Sequence, residues 1–75
     1  MNEAERILKA FAPEAIGAYC QNFRTNKLKE NVSEFSKKTE VALQSIYNFE
    51  KGVNVSYNTF YEYVKRGFIE WMETE

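Results

Sequence analysis

Histidine is absent from this sequence of 75 residues, and cysteine occurs once, as Cys20. One thiol cannot form an internal disulfide, and without histidine or a second cysteine no zinc or other metal site is expected. The sequence also lacks a glycine-rich phosphate loop and carboxylates at catalytic spacing, so we predict that the protein is not an enzyme and binds no cofactor. Cys20 is expected to be a small buried core residue in a reducing compartment.

Long hydrophobic runs are missing as well. No segment approaches the roughly 20 apolar residues that span a bilayer. The N-terminal run Met-Asn-Glu-Ala-Glu has neither the basic start nor the apolar stretch of a signal peptide. We therefore expect a soluble intracellular protein that has no membrane partner.

Charge is nearly balanced over the whole chain but is distributed unevenly. The net charge is −1, whereas a protein that binds nucleic acid is usually basic. Residues 24–51 carry six basic and four acidic side chains, a local charge of +2, and both flanking segments are acidic. Because the chain is short and 44% hydrophobic, residues 1–75 are predicted to form one domain with its own core.

Apolar periodicity predicts short helices along most of the chain, with no strand pattern and no internal repeat. The predicted fold class is therefore all-α, a compact bundle of five to six short helices. Ser56 can cap the fifth helix, whose apolar stripe is predicted to be Tyr57, Phe60, Tyr61 and Val64. The expected helices cover residues 3–11, 13–28, 32–39, 42–51, 57–66 and a short segment around 68–72.

Residues 31–52 contain two of these helices, separated by a short connection. Asn31 and Glu34 have the spacing of a capping box, in which each side chain satisfies a free N–H at the start of a helix. Ile46 and Phe49 lie three residues apart on the second helix, and Gly52 suits the left-handed residue that follows a helix. We interpret this segment as a helix-turn-helix.

The run Phe-Ser-Lys-Lys-Thr-Glu-Val-Ala-Leu-Gln-Ser-Ile-Tyr-Asn-Phe-Glu-Lys-Gly, residues 35–52, resembles the XRE, or Cro/cI-like, helix-turn-helix family of phage and bacterial regulators. The resemblance implies a lambda-repressor-like fold, in which Glu50 pairs with a basic residue of an earlier helix, here Arg24. The glycine that the family has in the turn is Glu40 here, so Glu40 is expected to be left-handed at a cost of about 1 kcal/mol. The matching places are filled by Phe35, Val41, Ile46, Phe49, Glu50 and Gly52.

By this resemblance the protein would be a small phage or prophage transcriptional regulator, a repressor or Cro-like protein of a lysogeny switch, in the cytoplasm of a bacterial host. Its second motif helix would enter the major groove of operator DNA, where the amides of Gln44 and Asn48 can bond adenine. Tyr61, Trp71 and Met72 could supply a homodimer surface. The alternative is a core, which the helical spacing of Tyr57, Phe60, Val64, Phe68 and Trp71 equally indicates. The candidate DNA-binding residues are Val32, Ser33, Lys37, Lys38, Leu43, Gln44, Ser45, Tyr47, Asn48 and Lys51.

A second hypothesis keeps the fold and changes the partner. Leu43 stands where many phage repressors carry a polar base-contacting residue, and it offers only apolar contact, either to a thymine methyl group or to a protein. The chain would then be a modulator or antirepressor that binds a repressor protein through Leu43, Tyr47 and their neighbours, instead of DNA or together with it.

Overall fold

Six α-helices and one π-helical segment make up the regular structure of residues 2–74, the residues that this computed structural model describes. The predicted all-α bundle is confirmed, and no strand occurs within this range. None of these helices is long and apolar enough to cross a membrane. In chain order the elements are α1 Glu3–Ala10, α2 Pro13–Asn22, the π segment Phe23–Leu28, α3 Val32–Thr39, α4 Leu43–Glu50, α5 Tyr57–Val64 and α6 Phe68–Thr74.

Side-chain caps fix where three of the helices begin. At α3, Asn31 Oδ1 accepts a hydrogen bond from the Glu34 N–H at 2.8 Å, and the Glu34 carboxylate accepts one from the Asn31 N–H at 2.9 Å. This capping box is the predicted one, and it satisfies two backbone donors that the helix itself cannot pair. Asn2 and Glu5 form a second capping box at α1, and Ser56 caps α5 as predicted.

The long second helix of the prediction changes its winding after Asn22. From Phe23 to Leu28 the chain forms a π-helix, whose wider turn accommodates an additional residue. Within it, the neighbouring side chains of Phe23 and Arg24 are both buried. The spacing of Ile16, Cys20 and Phe23 along an α-helix predicts Phe23, but not Arg24, on the inner face. The segment ends at Lys29, whose φ of 57° is left-handed.

Aromatic rings fill the centre of the bundle. The ring centroids of Phe35 and Tyr63 lie 4.7 Å apart, and those of Phe49 and Tyr63 lie 5.2 Å apart. Phe60 also stacks on Phe49, with ring centroids 6.3 Å apart. Cys20 is fully buried among these core residues, as predicted. The four aromatic residues that α3, α4 and α5 contribute therefore join these helices in one continuous contact.

The predicted apolar stripe of α5 is partly wrong. Phe60 is buried, but so is Tyr63, which the prediction omitted, whereas Tyr57 and Tyr61 are exposed. Tyr63 can lie in the interior because its hydroxyl has a hydrogen-bond acceptor there, described below. Tyr57 and Tyr61 stack on each other at the surface, with ring centroids 5.8 Å apart.

Residues 40–42 join α3 to α4 in a tight turn. Glu40 has a φ of 62°, the left-handed conformation predicted for it, and its N–H donates to the Ser36 carbonyl at 2.8 Å. Ser36 Oγ donates to the Val41 carbonyl at 2.6 Å, and the Val41 N–H donates to Thr39 Oγ1 at 3.2 Å. Polar side chains at the end of α3 therefore hold the turn that fixes α4 relative to α3.

Helix α2 approaches the C-terminal end of α4 so closely that no side chain fits at the contact. A Cβ atom on Gly17 would lie 2.5 Å from the Glu50 carbonyl oxygen and 2.6 Å from that of Phe49. Gly52 has the predicted left-handed conformation, with a φ of 79°, and packs directly against the backbone of Glu14. These two glycines set the distance between the helices.

Glu40→Gly should raise the free energy of unfolding by about 0.5 to 1 kcal/mol. A left-handed conformation costs a non-glycine residue about 1 to 2 kcal/mol, which exceeds the roughly 0.5 to 1 kcal/mol that the entropy of glycine in the unfolded chain costs. Ala18→Gly is the matched control, because Ala18 is exposed within α2, and this variant should lose about 1 kcal/mol. Urea denaturation measures both. A Glu40→Gly variant less stable than the wild type would contradict strain at Glu40.

Candidate functional site

Helix α4 has one buried face and one exposed face. Ile46, Phe49 and Glu50 are buried against the rest of the bundle. Asn48, predicted to be a contact residue, is half-buried. The predicted contact residues of this helix that the structure leaves exposed are Leu43, Gln44, Ser45 and Tyr47, and of these Leu43 and Tyr47 are 42% and 41% exposed.

Two amide side chains on α4 bind each other. Gln44 Nε2 donates a hydrogen bond to Asn48 Oδ1 at 3.1 Å, across one turn of the helix. This contact uses one donor of Gln44 and one acceptor site of Asn48, so the Gln44 carbonyl oxygen and the Asn48 amino group stay available to a partner. The pair therefore offers an acceptor and a donor in neighbouring positions.

The beginning of α3 contributes less exposed surface than the sequence predicted. Val32 was predicted to lie near the phosphate backbone, and its side chain is buried in the core. An apolar residue at the start of a helix that packs on a bundle is drawn inward by the hydrophobic effect. Ser33, the next residue, is exposed. Of these two residues only Ser33 can offer its side chain to a partner.

The three lysines among the predicted contact residues lie at the ends of α3 and α4. Lys37 and Lys38 occupy the last turn of α3 and Lys51 follows α4, and all three are exposed. Lys38 forms an ion pair with the Glu30 carboxylate. Lys37 and Lys51 have no ion-pair partner within residues 2–74. The motif therefore holds two exposed cations that are not neutralised by a contact inside this range.

A buried ion pair joins α4 to the π segment. Arg24 Nε and Nη2 donate to the two carboxylate oxygens of Glu50 at 2.8 and 2.9 Å, so the predicted partner of Glu50 is confirmed. Tyr63 Oη, from α5, also donates to Glu50, at 2.8 Å. The remaining Arg24 nitrogen, Nη1, donates to the Glu30 carbonyl at 2.8 Å. One guanidinium and one carboxylate thus connect three elements and the segment before α3.

The buried network also changes the acidity of the groups around it. The hydrogen bonds to Glu50 raise the pKa of the Arg24 guanidinium, so Arg24 stays protonated. Burial, together with the nearby Glu50 carboxylate, raises the pKa of the Tyr63 hydroxyl and of the Cys20 thiol far above their ordinary ranges. Cys20 is therefore a protonated core residue and not an activated nucleophile.

An open groove that the sequence did not predict lies between the α1–α2 connection and α6. Phe11 and Tyr19 are exposed and make an edge-to-face contact with ring centroids 6.3 Å apart. Trp71 and Met72 are half-buried and line the same groove, and Trp71 also packs on the core residue Phe23 at 5.5 Å. The apolar spacing of Ala4, Ile7, Leu8 and Phe11 predicted Phe11 on the inner face of the first helix, and Phe11 instead follows α1 and is exposed.

No protein-family model matches the sequence, and comparisons with curated proteins and with solved structures likewise give no match. Within residues 2–74, no group of three or more side chains of the metal-binding types comes together in a way that could hold a metal ion. Any functional conclusion therefore depends on the geometry of α3 and α4 and on the chemistry of their exposed residues.

The free energy of unfolding should fall as the pH rises above about 8.5. The thiol of Cys20 and the hydroxyl of Tyr63 keep their protons in the folded state, whereas in the unfolded chain they ionise near pH 8.5 and pH 10, so unfolding releases protons at alkaline pH. Each group should remove up to about 1.4 kcal/mol per pH unit above its unfolded pKa. Urea denaturation between about pH 7 and pH 11 measures this slope.

Two variants separate the contributions. Cys20→Ala should abolish the part of the decline that begins near pH 8.5, and Tyr63→Phe the part that begins near pH 10. Both variants lose some stability at neutral pH, so the comparison is between slopes and not between absolute values. A Tyr63→Phe variant whose slope equals that of the wild type would mean that Tyr63 ionises freely in the folded protein.

Proposed function

We propose that this chain is a small transcriptional regulator of the XRE, Cro/cI-like type, from a phage or prophage, and that it binds operator DNA with α4 as its recognition helix. The observation that carries the proposal is the division of α4 into an anchored and an exposed face. Phe49 and Glu50 are buried and hold the inner face of the helix against the bundle, while Gln44 stays exposed. A helix held in this way can enter the major groove, whose width accommodates it.

The amides of Gln44 and Asn48 supply the chemistry for direct reading of bases. A side-chain amide can bond N6 and N7 of adenine, a contact worth about 1 to 3 kcal/mol of discrimination. The two amides already bind each other at 3.1 Å, so part of the conformational entropy that they would lose on binding DNA is already lost in the free protein. Leu43, beside Gln44, is suited to the methyl group of thymine.

The exposed residues at the ends of α3 and α4 are the proposed contacts to phosphate. Ser33 can donate a hydrogen bond from its hydroxyl, and Lys37, Lys38 and Lys51 supply positive charge. Such contacts fix the register of a protein on the duplex without reading its sequence. Two to three lysine contacts predict a slope between about −1.8 and −2.7 when log Kobs is plotted against log salt.

The wild-type chain should therefore bind double-stranded DNA at low salt and select a preferred sequence from a pool of random duplexes. Fluorescence anisotropy between about 20 and 200 mM salt gives the slope, and sequencing of the retained duplexes gives the preferred site. Gln44→Ala should lose about 1 to 3 kcal/mol of discrimination at one base pair of that site, because an adenine contact is removed.

The matched control for that variant is Gln21→Ala. Gln21 is an exposed glutamine on α2, outside the proposed interface, so its removal should leave the preferred site and the affinity unchanged. A Gln44→Ala protein that selects the wild-type sequence with unchanged discrimination would contradict the assignment of α4 residues to bases. Absence of any duplex binding at low salt would contradict the proposed function itself.

A repressor-binding role is the second candidate, and one observation favours it. Leu43 and Tyr47 form an apolar row on α4, and each is about two-fifths exposed. Apolar and aromatic rows of this kind are common anchors of protein interfaces. In this case the chain is a modulator or antirepressor whose α4 docks on a repressor protein.

Under this second candidate, Leu43→Asp should abolish co-purification with a repressor encoded beside this gene, because a carboxylate is costly to desolvate in an apolar contact. Ala18→Asp is the control, since it introduces the same charge at an exposed position of α2 and should leave the complex intact. Circular dichroism checks that both variants stay helical. A complex that survives Leu43→Asp would remove the reason for this candidate.

A further inference from the structure

Glu30 forms an ion pair with Lys38, one of the lysines of the proposed DNA-binding surface. It lies between the π segment and the Asn31 cap, and its carboxylate Oε2 pairs with Lys38 Nζ. The two partners differ in exposure: the Glu30 side chain is 12% exposed, whereas the Lys38 side chain is 61% exposed. The ion pair therefore joins a carboxylate that is held in the protein to an ammonium group that solvent and other partners can reach.

The Glu30 carboxylate depends on Lys38 for its neutralisation. Its second oxygen, Oε1, is buried and has no hydrogen-bond partner within residues 2–74. Arg24 does not compensate this oxygen, because the guanidinium binds the Glu30 backbone carbonyl and the Glu50 carboxylate. If Lys38 leaves, Glu30 becomes a largely buried charge without a partner, which is unfavourable.

We propose that Glu30 is an intramolecular competitor of DNA phosphate for Lys38, so that it lowers the affinity of this protein for duplexes. This inference depends on the proposed DNA-binding function. A phosphate can gain Lys38 only by separating it from Glu30, or by approaching the Glu30 carboxylate with a charge of the same sign. In either case Lys38 contributes less than Lys37 or Lys51, which have no partner within residues 2–74.

Counterion release gives this competition a measurable consequence. A lysine that neutralises a phosphate contributes about −0.9 to the slope of log Kobs against log salt, whereas a lysine already neutralised by a carboxylate contributes little. Glu30→Gln removes the negative charge and keeps the size of the side chain. The variant should bind duplex DNA about threefold more tightly at about 100 mM salt, with a slope steeper by about 0.9.

The experiment is a double-mutant cycle on the full chain with a pool of random duplexes as the probe. Lys38→Gln should weaken duplex binding less in the wild-type background than in the Glu30→Gln background, where it should cancel the whole gain. Glu40→Gln is the control for the general effect of removing one negative charge, because Glu40 is exposed and has no ion-pair partner within residues 2–74. The gain in duplex affinity from Glu40→Gln should persist when Lys38 is replaced.

The outcomes distinguish the competition by Glu30 from the proposed DNA-binding function itself. Duplex binding by the wild type together with unchanged or weaker binding by Glu30→Gln overturns the competition, as does a gain that persists in the absence of Lys38. Failure of the wild type to bind any duplex overturns the proposed function and this inference with it. If Glu30→Gln does not fold by circular dichroism, Glu30→Ala takes its place, because it leaves no polar atom to be buried.

Discussion

The buried carboxylate of Glu50 is the constraint on which the arrangement of the bundle depends. It accepts hydrogen bonds from Arg24 and Tyr63, so it joins the end of α4 to the π segment and to α5. Removal of one partner from a buried ion pair costs about 3 to 5 kcal/mol, because the remaining charge is left uncompensated. A domain of this length is stable by only about 4 to 11 kcal/mol in total. Loss of one partner from this network would therefore remove a large part of the stability of the fold.

The guanidinium of Arg24 extends this constraint to α3. Two of its nitrogens bind Glu50, and the third binds the carbonyl of Glu30, one residue before the Asn31 cap of α3. The end of α4 and the beginning of α3 are thus held by one side chain, which limits the angle between the two helices of the motif. The π winding places Arg24 in the interior directly after Phe23, and the close contact at Gly17 admits α2 to the end of α4. The π segment and the close contact at Gly17, which both depart from regular α-helical packing, therefore lie next to the residues that hold α3 and α4 in place.

Features that depend on neighbouring residues could be predicted from the sequence, and features that depend on tertiary contacts could not. The Asn31 cap and the left-handed turn at Glu40 follow from hydrogen bonds and backbone preferences within a few residues, so their positions were readable. The exposed face of α4 followed from the spacing of its apolar residues. Tyr63 was missed because its burial requires the Glu50 carboxylate, thirteen positions away, as an acceptor. The burial of the Val32 side chain was missed because its environment is set by the core and not by its position at a helix start. The π winding has the same origin, since local spacing gives no reason for Arg24 to turn inward.

The pairing of charges explains how a chain of net charge −1 can hold a cationic surface. Glu50 cancels the charge of Arg24 in the interior, and Glu62 on α5 pairs with Lys65 and Arg66, which directly follow that helix. At physiological salt the Debye length is about 8 Å, so an exposed acid farther away than this contributes little to the potential that a phosphate experiences. The net charge is therefore a weak criterion for nucleic-acid contact in this protein, and the local balance of unpaired cations is the relevant one. Between residues 24 and 51, the basic residues without an ion-pair partner inside the described range are Lys27, Lys29, Lys37 and Lys51.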